Sequence, residues 1–252
     1  MSLIPLPDSL RPFLHDYLPT QLPDRTFVTL TYAQSLDSKI AAQPGHQTKI
    51  SHLETKTMTH YLRSKHDAIL VGIGTVLADD PKLNCRFKES TSNSISSPRP
   101  IILDPHGKWN YRSSQLFTIC EAQQGLAPYI IIDTSVNPTL HDIAILQNQG
   151  GKFIKRPLIH TSRSDSWKII LSTLYEHGLK SVMIEGGAKI INDLLSLQKS
   201  DDLINSLIIT IGPVFLGYQG VSVHPHTNVN LNQIKWWSGV QDSIVCARVS
   251  TE

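Results

Sequence analysis

Short runs of consecutive apolar residues alternate along this chain with stretches whose apolar residues recur at helical spacing, the pattern of a mainly parallel sheet with crossover helices. The strand candidates are FVTLTYA (27–33), AILVG (68–72), PIILD (100–104), YIIID (129–133), KFIK (152–155), SVMIE (181–185), LIITIG (207–212) and SIVCARV (243–249). Ser51 followed three residues later by Glu54 predicts a capping box opening a helix over 52–65, with Leu53, Met58, Tyr61 and Leu62 as its apolar stripe. Asn137-Pro138 predicts the start of another, running to about Gln149 before Gly150-Gly151. A third, with Trp167, Ile170, Leu171 and Leu174 on one face, stops at Gly178, and a fourth spans 187–197 directly after the strand carrying Glu185. Beyond Gly217 the pattern offers strand-like and turn-like pieces without a helix, which predicts antiparallel strands closing one sheet edge. The stretch STSNSISS (90–97) reads as a surface loop, too short to divide two domains. The proline-bearing start reads as a surface arm, so the chain is organised as an N-terminal arm, 1–24, and one α/β domain, 25–252.

Composition narrows the function classes. At 252 residues the chain is long enough for a substantial core, and 23 Lys and Arg against 21 Asp and Glu leave a formal charge of +2. That balance argues against nucleic-acid binding as the main task, so an anionic ligand must be held by a few local charges. The longest uncharged stretch, Leu203 to Ile234, is broken by Gly212-Pro213 and cannot cross a bilayer. Three cysteines, Cys85, Cys120 and Cys246, give neither a CxxC pair nor an even-numbered framework, and no signal-peptide pattern precedes them. Free thiols in a cytoplasmic protein are the expectation. The eleven histidines form no HExxH, and no Gly-x-Ser-x-Gly elbow occurs, so neither a metal site nor a serine hydrolase is expected.

Three segments carry candidate chemistry. VGIGTVLADDP (71–81) runs from a strand through a Gly-x-Gly turn into a helical turn, where small residues admit a ligand to the backbone and helix-start amides attract phosphate. Leu77 stands where a dinucleotide fingerprint needs its third glycine, and a purely structural turn is the alternative. SVMIEGGAKIINDLL (181–195) ends a strand in Glu185 and opens a helix after two glycines, so Gly186, Gly187 and Ala188 can meet a pyrophosphate at the carboxyl end of the sheet. Tight helix-on-sheet packing is the other reading of those glycines. In YAQSLDSKIA (32–41), Asp37 serves either a reactive site or simply its own turn. Asp79, Asp80 and Glu185 are too weakly supported as a glycosidase pair, since nothing in the sequence suggests a sugar groove.

Taken in order, SLDSKIA, DAILVGIGTVLADDPKLNCR (67–86), PIILD, MIEGGAKI and IGPVFLG (211–217) resemble the riboflavin-pathway reductases, which are relatives of the C-terminal half of the bacterial deaminase-reductase. The likeness covers about residues 25–250. It implies a dihydrofolate-reductase-like sheet, a homodimer, and NADPH-dependent reduction of a ribosylaminopyrimidinone 5′-phosphate to its ribitylamino product. By the same resemblance Thr75 and Asp79 contact the cofactor, and Gly186, Gly187 and Ala188 form its phosphate-binding turn. Glu185, Arg63, Leu83 and Arg86 fall at substrate positions, an arginine at 86 suiting the 5′-phosphate. Glu185 and Asp79 are the nearest candidates for catalytic proton delivery as the sugar ring opens. Lys155-Arg156, at the end of the KFIK strand, is either the source of positive charge near the adenosine ribose or simply a pair of solvated surface charges.

Two positions depart from the bacterial pattern: Ser38 replaces the glycine of SLDG, and Thr31 stands where bacterial members often carry a lysine. The zinc-deaminase signature, His-x-Glu followed by Pro-Cys-x-x-Cys, is absent. The chain thus resembles the fungal and archaeal branch, whose substrate is 2,5-diamino-6-ribosylamino-4(3H)-pyrimidinone 5′-phosphate. The alternatives are the deaminated 5-amino-6-ribosylaminouracil 5′-phosphate and a non-catalytic nucleotide-binding regulator of the same fold. Dihydrofolate reductase itself ranks below these, because residues 52–66 supply only Glu54 as a carboxylate.

Overall fold

The computed structural model describes residues 3–89 and 94–251, so the first half of the serine-rich loop, 90–93, lies outside the described residues. The main strands are β1 (Phe27–Gln34), β3 (Ala68–Gly72), β4 (Arg99–Leu103), β5 (Tyr129–Asp133), β6 (Lys152–Arg156), β7 (Ser181–Ile184), β8 (Ser206–Ile211), β10 (Leu231–Ser238) and β11 (Ser243–Val249). A separate ribbon pairs β2 (Lys39–Ala41) with β9 (Val221–Ser222). The helices are α1 (Leu10–Leu14), α2 (Leu53–Arg63), α3 (Ile73–Asp79), α4 (Gln115–Glu121), α5 (Leu140–Asn148), α6 (Arg163–Glu176) and α7 (Ala188–Asp201).

The sheet runs in the order β10-β11-β8-β1-β7-β3-β4-β5-β6. All pairings from β8 to β6 are parallel, whereas β11 runs against β8 and β10 against β11. The expected α/β architecture, a mainly parallel sheet with crossover helices and an antiparallel C-terminal edge, is therefore the observed one. Strand residues of one parity, such as Leu30, Leu70, Ile184 and Ile209, pack under α6 and α7. Those of the other parity, such as Ile69, Met183 and Ile208, pack under α1, α2, α4 and α5. Burial on both faces is why these strands read as continuous apolar runs.

The chain moves outward from β3 to β6, then returns so that β7 enters between β1 and β3. From the neighbouring ends of β3 and β7 the chain departs to opposite faces, through α3 and α4 on one side and α7 on the other. A crevice opens at such a point, beyond the carboxyl ends of the strands.

Two expectations require correction. The capping box does not form: His52, not Ser51, is the N-cap of α2 and its side chain makes no cap bond. The cap comes instead from Asp242 in the β10–β11 turn, whose carboxylate accepts from His52 N at 2.6 Å and Thr55 Oγ1 at 2.5 Å. Glu54 reciprocates by accepting from Val240 N at 2.7 Å. Helix and hairpin thus cap each other across about 190 residues of sequence, an exchange that local spacing does not reveal. Asp242→Ala is expected to lower stability by about 2 kcal/mol with the substrate side unaffected, as read by denaturant unfolding. The N-terminal segment is likewise not a loose arm. Leu10, Leu14 and Tyr17 are buried against α2, Met183, Ile208 and Ile244, because an i, i+4 leucine pair gives even a five-residue helix an apolar face. Among the described residues no helix is long and apolar enough to cross a membrane.

Candidate active site

A cleft of about 1390 Å³ lies at the carboxyl ends of β1, β3 and β7, lined by residues of both glycine turns, of α2 and of the 82–86 segment. The turns converge because β3 and β7 are hydrogen-bonded neighbours, with Glu185 N donating to Leu70 O at 3.0 Å. Their glycines have different reasons to be there. A Cβ at Gly72 would stand 2.8 Å from Ile190 Cδ1 and one at Gly186 would stand 2.7 Å from Ile190 Cγ2, so a side chain at either position would press on α7 where it meets the sheet. A Cβ at Gly187 would meet only Thr75 Oγ1, at 3.1 Å, and would project into the cleft between the turns. Gly187 is also the N-cap of the 14-residue α7 and supplies no side chain to its first amides, which leaves them for an anion. Thr75, Asp79, Gly186, Gly187 and Ala188 all line this cleft.

The charged wall begins at the end of α2. Arg63 donates from Nε to Glu185 Oε1 at 3.0 Å and from Nη2 to Oε2 at 2.8 Å, a bidentate pair, and from Nη1 to Asn84 O at 3.0 Å. Burial opposes its charge, but the Glu185 carboxylate more than compensates, and the Arg63 pKa is raised. Each Glu185 oxygen thereby accepts one hydrogen bond and keeps a second lone pair. Asp79, at the end of α3, accepts no hydrogen bond among the described residues, and burial raises its pKa. Leu83 adopts φ +52 and sinks its side chain into the core, so it lends the wall backbone rather than side chain. Arg86 projects outward from the same segment, with Nη2 at 2.8 Å and Nε at 3.2 Å from His60 Nε2, while its backbone N donates to His60 Nδ1 at 3.2 Å.

His60 is the neighbour that sequence reasoning missed. It sits three residues before Arg63, hence on the same helix face, and helical spacing alone would have found it. Burial, then the charges of Arg63 and Arg86, push its pKa down to about 3. Burial likewise takes His66, bonded to Leu62 O and Thr29 Oγ1, to about 4. Their depressed values put the full stabilising effect above the unfolded value of 6.5 and remove it as pH falls toward 4 and then 3. The thermal midpoint is therefore expected to drop already between pH 6.5 and 5, above the range in which Asp37 and Glu89, each held at about 2, begin to contribute. A midpoint flat over that window would contradict the assignment, and His60→Gln should shallow the slope.

Asp37 takes the quieter of its two readings. Its carboxylate accepts from Ser35 Oγ at 2.5 Å, Leu216 N at 3.0 Å and Gly217 N at 2.8 Å, tying the 35–38 loop to the 214–217 loop, and it does not line the cleft. Ser38 has φ +58, the left-handed region that suits the glycine of the bacterial pattern. Lys155 and Arg156 also turn from the cleft, toward Asn137 at 2.7 Å and toward Thr173 and Glu176 at 2.7 and 3.0 Å. Cations that do line the cleft include Lys189 of α7 and Arg163, the latter paired with Asp193 at 2.9 Å.

The chain matches the model of the RibD C-terminal domain over residues 26–245, beginning just after the N-terminal segment. The chain belongs to the RibD C-terminal domain family. Within that family it is 61% identical to a 2,5-diamino-6-ribosylamino-4(3H)-pyrimidinone 5′-phosphate reductase of Debaryomyces hansenii, covering 99% of this chain and 100% of that protein. It is 44% identical to the protein of the same name in Saccharomyces cerevisiae, with both chains covered in full. The solved structure of the riboflavin biosynthesis reductase Rib7 from that yeast superimposes with a TM-score of 0.79 at 40% identity, covering 96% of this chain and 100% of that one. Acinetobacter baumannii RibD, 20% identical with a TM-score of 0.70, shares the fold over 90% of this chain and 59% of its own. Members of the RibD C-terminal domain family thus occur both as chains of this length and as parts of longer proteins.

Proposed function

We propose that this protein reduces the ribosyl side chain of 2,5-diamino-6-ribosylamino-4(3H)-pyrimidinone 5′-phosphate to the ribitylamino product, using NADPH, in riboflavin biosynthesis. The observation that carries this reading is the joining, in one cleft, of an open helix start at Gly187 to a cationic corner at Arg86, with the Arg63–Glu185 pair in the same wall. The residues fit the cofactor: the missing Cβ at Gly187 and the unpartnered first amides of α7 suit a pyrophosphate, and Thr75 offers a hydroxyl beside them. NADPH when bound supplies the hydride.

The remaining tasks fall to side chains. Arg86, with a planar fork of donors, binds the substrate phosphate, and Lys56 and Thr59 line the same corner from α2. Glu185, fixed at two points by Arg63, presents a carboxylate that accepts from substrate N–H or O–H groups and orients the reacting sugar carbon. Asp79, whose raised pKa makes it the better proton carrier, delivers the proton to the sugar oxygen as the ring opens. The reading includes a homodimer in a reducing cytoplasm. The unpaired thiols of Cys85, Cys120 and Cys246 suit that compartment, and the outer edge of β10, with Ile234 and Trp236 exposed, offers a surface for a second copy.

The deciding experiment follows NADPH oxidation with the diamino substrate and with its deaminated counterpart. Turnover of the first in preference is expected; preference for the deaminated compound would reassign the substrate, and no oxidation with either would leave only a nucleotide-binding regulator. Arg86→Ala should raise KM for the phosphorylated substrate ten- to a hundredfold, about 1.5–3 kcal/mol for a charge-assisted contact, with little change in kcat. A normal KM with fallen kcat would refute its phosphate role.

A further inference from the structure

The segment before residue 26 precedes the family region, yet it is fastened to the part of the molecule that carries Arg86. Residues 85–88 alternate in burial: Cys85 and Phe87 are buried, Arg86 and Lys88 exposed. The direction of Arg86 therefore depends on how firmly its neighbours are held. Cys85 is tied to α2, its thiol donating to His60 O at 3.1 Å. Phe87 and Glu89 are held from the other side by Arg11 of α1. The Arg11 guanidinium lies 5.2 Å from the Tyr61 ring centre and 5.6 Å from that of Phe87, and these rings meet edge to face at 5.4 Å. The same guanidinium donates to both Glu89 oxygens, at 3.2 and 2.8 Å, and Lys65 reaches Glu89 at 2.9 Å. The hydrogen bonds from Arg11, then from Lys65, hold the Glu89 carboxyl at about 2, so this clamp persists across the working pH range. Ile4 adds a carbonyl accepting from Thr57 Oγ1 at 3.0 Å, which pins the segment along α2.

We propose that the N-terminal segment, through Arg11, is a positioning element of the substrate-phosphate corner, fixing the 85–89 segment so that Arg86 faces the cleft. This rests on the reading of Arg86 as a phosphate ligand. Arg11 does not line the cleft. It acts by restricting the freedom of the segment, so its removal should weaken anion binding through Arg86 and leave the cofactor side alone.

The test is a double-mutant cycle on the full chain, read by calorimetry with ribose 5-phosphate and, separately, by NADPH fluorescence. Arg11→Ala is expected to weaken ribose 5-phosphate binding about fivefold and to raise KM for the full substrate by the same factor, with kcat and NADPH affinity unchanged. Arg11→Lys, which keeps one ion-pair contact but not the fork, should recover part of the loss. In an Arg86→Ala background, Arg11→Ala should cost less than about twofold more, because the residue it positions is gone. Arg25→Ala, which breaks a different ion pair of the segment, to Asp202 at 3.0 Å, serves as a control and should leave anion binding unchanged. Unaltered ribose 5-phosphate binding in Arg11→Ala overturns the inference. So does an equal loss in the Arg86→Ala background, or a parallel loss of NADPH affinity, either of which would mean general loosening. A wild-type protein that binds no ribose 5-phosphate overturns it as well. Wild-type binding that obeys the cycle, without NADPH oxidation by the pyrimidine substrate, would sink the reductase reading and leave the clamp standing.

Discussion

Gly187→Val is expected to abolish NADPH binding while the protein stays folded. The backbone there has φ −71 and ψ 171, an extended conformation open to any residue, so the substitution carries no torsional strain. Its Cβ would stand 3.1 Å from the Thr75 hydroxyl, a contact that a small side-chain movement relieves. The two methyl groups beyond it have nowhere to go but the space above the first amides of α7. Losing a pyrophosphate seat of several charge-assisted hydrogen bonds costs about 3 kcal/mol or more, at least a hundredfold in Kd. Fluorescence titration against a variant with an unchanged thermal midpoint reads this directly, and near-normal affinity would remove Gly187 from the cofactor site. Gly186→Ala supplies the contrast. Its Cβ would press on Ile190 at 2.7 Å, in the seat of α7, so that variant should lose stability first.

The second large effect is expected from Glu185→Ala, which should cut turnover about a thousandfold and lower stability by about 3 kcal/mol. The two losses have separate causes. Turnover falls because the substrate loses the acceptor that orients it. Stability falls because Arg63, with a side chain only 13% exposed, keeps its charge in a partly dry wall without its partner. Glu185→Gln keeps the shape and one acceptor oxygen, so it should recover much of the stability and little of the turnover. A Glu185→Ala protein with normal kcat would end its catalytic assignment, whatever happened to the melting curve.

The sheet was legible in the sequence because burial on both faces imposes unbroken apolar runs, and YIIID and SIVCARV match β5 and β11 residue for residue. The cleft was legible for the same reason: once β3 and β7 are strands, the Gly-rich turns that follow them must emerge at one end. Whatever depended on distant partners was not. Ser51 and Glu54 have the spacing of a local cap, but the carboxylate at position 242 reaches His52 N and Thr55 first, and Glu54 is drawn to the hairpin instead. Lys155 and Arg156 looked available as charges, yet α6 and the loop after β5 supply nearer partners. The glycine turn held both of its alternatives at once, Gly186 serving helix packing and Gly187 facing open space, a division that only coordinates resolve. Leu10 and Leu14 were concealed by the prolines around them, which mark a chain without long helices but say nothing about one short turn with a buried face.

The placement of β7 has a consequence for biosynthesis of the molecule itself. On that side, β1 and β3 pair with β7 and not with each other, so a nascent chain that has not yet passed Ser181 carries an unfilled slot at the centre of its sheet, bordered by bare amides and carbonyls. The chain must be made through β7, Ser181–Ile184, before that gap closes. Folding of the two halves is thus bound to be late and concerted, and translation pausing or chaperone supply will bear on the yield of this protein more than on one whose strands pair in the order they are made.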